Sequence, residues 1–195
     1  VNITHHYIDN ANFSLAEKAI SMGLEQHPSN IDLMLLSSEL LIFNSNYDDA
    51  YKILDVVEEI DPINREVYLQ KATIYSKNNL GKKAIEILKK ALDFSDDKNE
   101  IWNMIGMEFL LLEEHSSAIP FFEKCIMNDY DDYQSLYNLI FCYENVNREK
   151  DSVIILNNIL EKNPYSRIAW HQLGKVYAKL NMNSEAISAF DFAII

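Results

Sequence analysis

The chain has 195 residues, with 17 Lys plus Arg against 30 Asp plus Glu and a formal charge of −13. That acidity argues against a nucleic-acid surface, because phosphates reward clustered Lys and Arg, and no apolar run approaches the roughly 20 residues that span a bilayer. With 48% hydrophobic residues the chain can bury a core, and only 4 Gly and 4 Pro leave few breakers, which favours helices. Cys125 and Cys142 are too few for a multi-bridge secreted framework and do not form a CxxC pair.

In chain order, Ser14 stands three residues before Glu17, the spacing of a capping box that opens a helix. Asn30 is placed to cap the next helix by accepting a free backbone N–H. Asn44-Ser45-Asn46 then reads as a helix end, since Asn tolerates the left-handed conformation. Asn64 repeats the cap and Asn78-Asn79 the ending. Further on, Trp102, Ile105, Phe109 and Leu112 recur at three and four residues, and Ile119, Phe122, Cys125 and Ile126 repeat that pattern, which makes two short helices. Ser166 caps a later helix that Asn181-Met182-Asn183 closes.

These elements return at a fixed step. Ala16, Ala50, Ala84, Ala118, Ser152 and Ala186 lie 34 residues apart. The same step links Tyr7, Leu41, Tyr75, Phe109, Tyr143 and Tyr177, and a third column of Gly23, Val57, Ala91, Cys125, Ile159 and Ala193. Pro28, Pro62 and Pro164 share a fourth, where Asp96 and Tyr130 replace proline.

These columns resemble the tetratricopeptide repeat, whose signature places Trp, Leu, Gly and Tyr on a first helix and Ala, Phe and Ala on a second, then Pro. Trp170, Leu173, Gly174, Tyr177, Ala186, Phe190 and Ala193 match all these places, after Pro164. Trp102, Gly106, Phe109, Ala118 and Phe122 follow the same order. The resemblance covers a partial repeat 1–30, full repeats 31–64, 65–98, 99–132 and 133–166, and an incomplete one at 167–195. It implies an all-α fold: one right-handed superhelical solenoid of antiparallel helix pairs, and its ends suggest a fragment of a longer repeat protein. Stacked repeats bury one continuous core that no single repeat can bury alone.

Small residues at 72, 106 and 174 are expected to face Ala84, Ala118 and Ala186, with the aromatic column filling the wedge toward the next repeat. Residues 133–166 depart from the pattern, with Ile140, Ser152 and Ile159 at places meant for smaller residues or Ala, so that helix pair is expected to splay.

The resemblance further implies that first helices line a concave face. Its partner-binding groove would hold Leu35, Glu39, Ile42 and Phe43 on one helix, then Leu69, Thr73 and Lys77. Asn103 and Met107 follow with Leu110 and Leu111, then Tyr137 and Phe141 with Glu144, and last His171 and Lys175 with Lys179. The middle of this strip is apolar and aromatic, the kind of surface that anchors peptides, although Met107 and Leu110 can equally complete the core. In tetratricopeptide co-chaperones, a clamp for a peptide's C-terminal carboxylate uses Lys and Asn at the fifth and ninth places of one repeat, an Asn in the next, and Lys and Arg in a third. Those pairs here are Leu35 and Glu39, Leu69 and Thr73, Asn103 and Met107, Tyr137 and Phe141, and His171 and Lys175, so chaperone-tail binding is not expected.

Lys71, Lys77, Lys82, Lys83, Lys89 and Lys90 form a basic island between acidic neighbours. A docking patch for an acidic segment is the sharper reading; charge compensation plus a solvated face is the more ordinary one. Glu113, Glu114, His115, Ser116 and Ser117 hold acid, base and hydroxyl types, but loop neighbours do not make a triad. His5 and His6 lack further metal ligands, and no glycine-rich phosphate loop is present. Cys125 sits in a small-residue core column, and nothing near Cys142 lowers its pKa.

The resulting expectation is a non-catalytic, cofactor-free, cytoplasmic scaffold that binds a protein or peptide partner, with no nucleic-acid or membrane partner. The alternative is a substrate-selecting or regulatory arm of an enzyme whose catalytic domain lies outside this segment. Self-association through the last helix, tested at Phe190 and Ile194, is a third reading.

Overall fold

The computed structural model describes residues 12–194. His5, His6, Tyr7 and Ile195 lie outside that span. The described residues form eleven α-helices in sequence: α1 (Phe13–Gln26), α2 (Ile31–Phe43), α3 (Tyr47–Ile60), α4 (Arg65–Lys77), α5 (Gly81–Ala91), α6 (Asn99–Leu111), α7 (His115–Asn128), α8 (Tyr133–Asn145), α9 (Glu149–Lys162), α10 (Arg167–Lys179) and α11 (Asn183–Ile194). A single 3₁₀ turn, Leu92–Phe94, follows α5. The chain divides between Asp97 and Lys98 into two compact units, each built from hairpins of a first helix and a second helix.

Local chemistry sets the helix starts. The side chain of Asn30 accepts from the Leu33 N–H at 3.0 Å, Asn64 from Glu66 at 3.1 Å and Ser166 from Ala169 at 3.3 Å, as expected of caps. Asp132 adds a fourth, accepting from Ser135 at 3.0 Å. Ser14 does not cap: α1 begins at Phe13, so Ser14 is already inside the first turn.

The hairpin turns share one geometry. Ser45, Asn79, Glu113, Asn147 and Asn181 take positive φ, between 56° and 61°. In each turn the third N–H past the helix end reaches back to a carbonyl five residues earlier: Asn46 to Leu41, Leu80 to Tyr75, Glu114 to Phe109, Arg148 to Tyr143 and Met182 to Tyr177, all at 2.8–2.9 Å. This is the Schellman closure. Its left-handed residue is Ser in the first turn and Glu in the third, where the asparagines of the sequence pattern do not supply it.

In the first unit the core gathers Ala50, Leu54, Val57, Val67 and Ile74, with Ala16, Ile20, Leu36 and Leu40 packed on α1. In the second it runs from Ala118 and Phe122 through Leu136, Leu139, Leu156 and Leu173. Gly106 and Gly174 are met most closely by the bulky residue sixteen positions later. A Cβ on Gly106 would lie 2.7 Å from a Phe122 ring carbon, and one on Gly174 2.6 Å from Phe190. The ring needs the area that a side chain would occupy.

The same two places hold Ala72 with Leu88, Ser38 with Leu54, and Ile140 with Leu156. Only the last pair is bulky on both sides, and the α8 and α9 backbones approach closely along much less of their length than those of the other hairpins. Ser152, buried there, leaves its hydroxyl without a partner. The expected splaying is present, at the hairpin whose two facing places both hold branched side chains.

Two members of the aromatic column, Tyr75 and Tyr143, turn toward the preceding repeat rather than the next. The Tyr75 hydroxyl meets that of Tyr51 on α3 at 3.0 Å, and Tyr143 donates to Glu123 on α7 at 2.5 Å. Phe109 stacks instead on Phe121 of its own hairpin, 5.7 Å between centroids.

Gly106→Ala should destabilise the protein by about 1–3 kcal/mol in urea unfolding, the usual cost of overpacking. Combined with Phe122→Leu, which recreates the Ala72 and Leu88 pairing, the loss should be smaller than the sum of the two single changes; simple additivity would contradict the close approach.

Candidate functional site

The expected groove residues separate by depth. On α2, Leu35 and Ile42 pack half-buried on the core of the first unit, while Glu39 is exposed. Phe43 is exposed over 64% of its surface and stacks on Phe13 at 4.6 Å. On α4, Leu69 is buried, the Thr73 hydroxyl bonds back to the Leu69 carbonyl at 3.0 Å, and Lys77 is exposed. The first-helix face of the first unit is therefore closed over its middle.

The second unit keeps an open apolar strip. Tyr137 and Phe141 on α8 are 43% and 50% exposed, beside Met107 and the 68% exposed Leu111 of α6. Leu110 joins the core, whereas Met107 stays at the surface, so the two part company. The strip is held by polar ties between first helices: Asn103 donates to the Ser135 hydroxyl at 2.9 Å, Asn138 to the Met107 sulfur at 3.2 Å, and Lys179 pairs with Glu144 at 2.6 Å. In the first unit Ser38 and Gln70 tie α2 to α4. Such ties fix side-chain positions before any partner arrives.

A cavity of about 720 Å³ opens at one end of the strip, lined by Tyr133, Tyr137, Tyr165, Arg167, His171 and Phe190. Tyr133, Tyr165, Arg167 and Phe190 were absent from the expected groove. Tyr133 and Arg167 lie one helical step of four before Tyr137 and His171, so extending each helical stripe backwards would have found them. Tyr165 comes from the loop before α10 and has no periodic signal. A second cavity, about 510 Å³, lies between α1 and α2, where Leu41 replaces the tyrosine of the column.

The basic island loses one member. Lys71 is buried on α4, pairs with Asp55 at 2.6 Å and with Glu58, and lies 4.8 Å from the Tyr51 ring centroid. Burial alone would lower its pKa, but the hydrogen bonds that the ammonium donates to both carboxylates outweigh this and hold it above its ordinary range. Lys82, Lys83, Lys89 and Lys90 remain exposed on α5. For Lys71 the compensating reading is the one that holds.

The turn cluster is not brought together as a catalytic group. The His115 ring packs edge-on against Phe141 at 5.5 Å, its Nδ1 without a partner, and the Ser117 hydroxyl donates to Glu114 at 3.5 Å in solvent. Among the described residues no group of three or more His, Cys, Asp or Glu could hold a metal ion. Cys125 and Cys142 are both fully buried, and burial pushes each thiol up to about 11.

The model of the tetratricopeptide repeat family matches residues 66–98, 100–132 and 168–194. The fold is similar to the crystal structure of YrrB, described as a TPR protein with an unusual peptide-binding site, at 20% identity, 92% of each chain and TM-score 0.65. It is also similar to MamA, at 21% identity over 80% of this chain and 92% of that one, TM-score 0.61. A tetratricopeptide repeat protein of Parabacteroides merdae aligns with 97% of this chain and 75% of its own, at 14% identity and TM-score 0.64. Among curated proteins, none matches.

The buried thiols make stability sensitive to alkali. Their folded pKa lies above the ordinary 9.0, so their contribution is complete below pH 9 and is lost as pH rises toward 11. The unfolding free energy from urea titrations should fall above pH 9, by about 1 kcal/mol per thiol at pH 10, and Cys125→Ala with Cys142→Ala should flatten that decline.

Proposed function

This chain belongs to the tetratricopeptide repeat family, and we propose that it is a non-catalytic scaffold which binds a protein or peptide partner on its first-helix face. The observation that carries this is the exposed strip of Tyr137, Phe141, Met107 and Leu111 in the second unit. A helical repeat has every opportunity to bury such residues, and aromatic and Met side chains in a pre-ordered groove are the types that anchor partners. In the first unit, Phe43 and Lys77 are exposed on their first helices. Among the described residues no helix is long and apolar enough to cross a membrane. The free thiols Cys125 and Cys142 support a cytoplasmic setting. The repeats 31–64, 65–98, 99–132, 133–166 and 167–195, with the partial 1–30, are read as one series.

Affinity capture from native extract tests this reading. Tyr137→Glu with Phe141→Glu should abolish retention of a specific partner while leaving the helical circular dichroism intact; unchanged retention would sink the assignment.

A second reading, self-association, is supported by the exposed Ile187, Phe192 and Ile194 of α11, the last 76% exposed. Phe190 is not a usable probe, because it seats on Gly174 and a charge there would disrupt the hairpin. If α11 mediates a dimer, light scattering should give a doubled mass that Ile187→Glu with Ile194→Glu returns to the monomer. A monomer before substitution removes the idea.

A further inference from the structure

Two neighbouring first helices of the second unit are decorated in stripes. On α8, Tyr133, Tyr137 and Phe141 follow at four-residue steps and so share one face. On α10, Arg167, His171, Lys175 and Lys179 do the same, and that helix carries no Asp or Glu in a chain with formal charge −13. The stripes lie alongside each other. Tyr133, Tyr137, Arg167 and His171 line the same cavity, and Glu144 of α8 reaches Lys179 of α10.

Two of the carboxylates bond to residues of these stripes. Asp131 accepts from the Tyr133 hydroxyl at 2.9 Å, and Glu144 is engaged by Lys179 at 2.6 Å. Among the described residues no carboxylate pairs with Lys175, and Arg167 donates through Nε to the Ala193 carbonyl at 3.1 Å. The middle of the basic stripe is thus uncompensated beside an aromatic one. Steps of four residues advance about 6 Å along a helix, close to the roughly 6.6 Å between alternate side chains of an extended chain.

We propose that this surface binds an extended segment of a partner protein in which apolar and acidic residues alternate. The apolar side chains seat against Tyr137 and Phe141, and the carboxylates meet Lys175, Arg167 and, by displacing Glu144, Lys179. This rests on the protein-binding reading above and gives the partner a chemical class. Recognition runs through internal carboxylates, since the fifth and ninth places offer no clamp for a chain terminus.

Fluorescence anisotropy on the full chain tests it with a labelled, C-terminally amidated peptide, Glu-Leu-Glu-Phe-Glu-Leu-Glu. That peptide should bind at least about tenfold more tightly than versions with Lys for Glu or Ser for the apolar residues, and should weaken as salt rises. Lys175→Glu should lower its affinity about tenfold. Glu144→Gln, by freeing Lys179, should raise it about two- to threefold, a gain that misfolding cannot mimic. Equal binding of the Lys peptide, or affinity indifferent to both substitutions, overturns the proposal. If extract capture depends on Tyr137 and Phe141 yet survives Lys175→Glu, the acidic class falls and the scaffold reading stands. If nothing is captured at all, both fall.

Discussion

The closest approach within each hairpin governs the rest of the structure. A first helix and a second helix meet where one residue must be small if its opposite is large: Gly106 under Phe122, Gly174 under Phe190. Interiors pack at crystal-like density, so a methyl group too many cannot be absorbed locally and must move a helix. Ile140 opposite Leu156 shows the consequence, a hairpin held further apart and a buried Ser152 hydroxyl with nothing to bond. Where the contact is tight, the first helix is fixed in rotation, and the residues on its outer stripe are fixed with it.

On α8, whose hairpin is the loose one, the outward stripe is set instead by the inward stripe of the same helix. Tyr137 and Phe141 are outward because Leu136, Leu139, Ile140 and Tyr143 are committed inward on the same helix. The ties from Asn103 to Ser135 and from Lys179 to Glu144 then hold neighbouring first helices side by side. In the first unit the places equivalent to Tyr137 fall to Leu35 and Leu69, which serve the core. The two units share a repeat but not a surface.

Periodicity carries much of this and stops at a definable point. The 34-residue columns disclosed the hairpins, and the caps at Asn30, Asn64 and Ser166 were readable because one side chain and its own backbone suffice. Ser14 failed because its spacing is equally met inside a first turn. Periodicity tells which stripe a residue is on, not how deeply that stripe is covered. Leu69 looked like groove, and Lys71 like a solvated lysine until Asp55 and Glu58 of another helix closed on it. The direction of the aromatic column was illegible for the same reason, since Tyr75 and Tyr143 find partners some 20 or more residues back in the chain. Tyr165 belongs to a loop, where no period applies.

The hairpin turns are closed by main-chain atoms, with side chains as different as Asn46, Leu80, Glu114, Arg148 and Met182 donating the same bond. Nothing in that joint depends on what it is made of, beyond one residue that accepts a left-handed backbone. Any 34-residue length of such a polymer brings a finished corner with it. Gene duplication can therefore lengthen the array, and unequal recombination shorten it, without a new connection having to be invented each time.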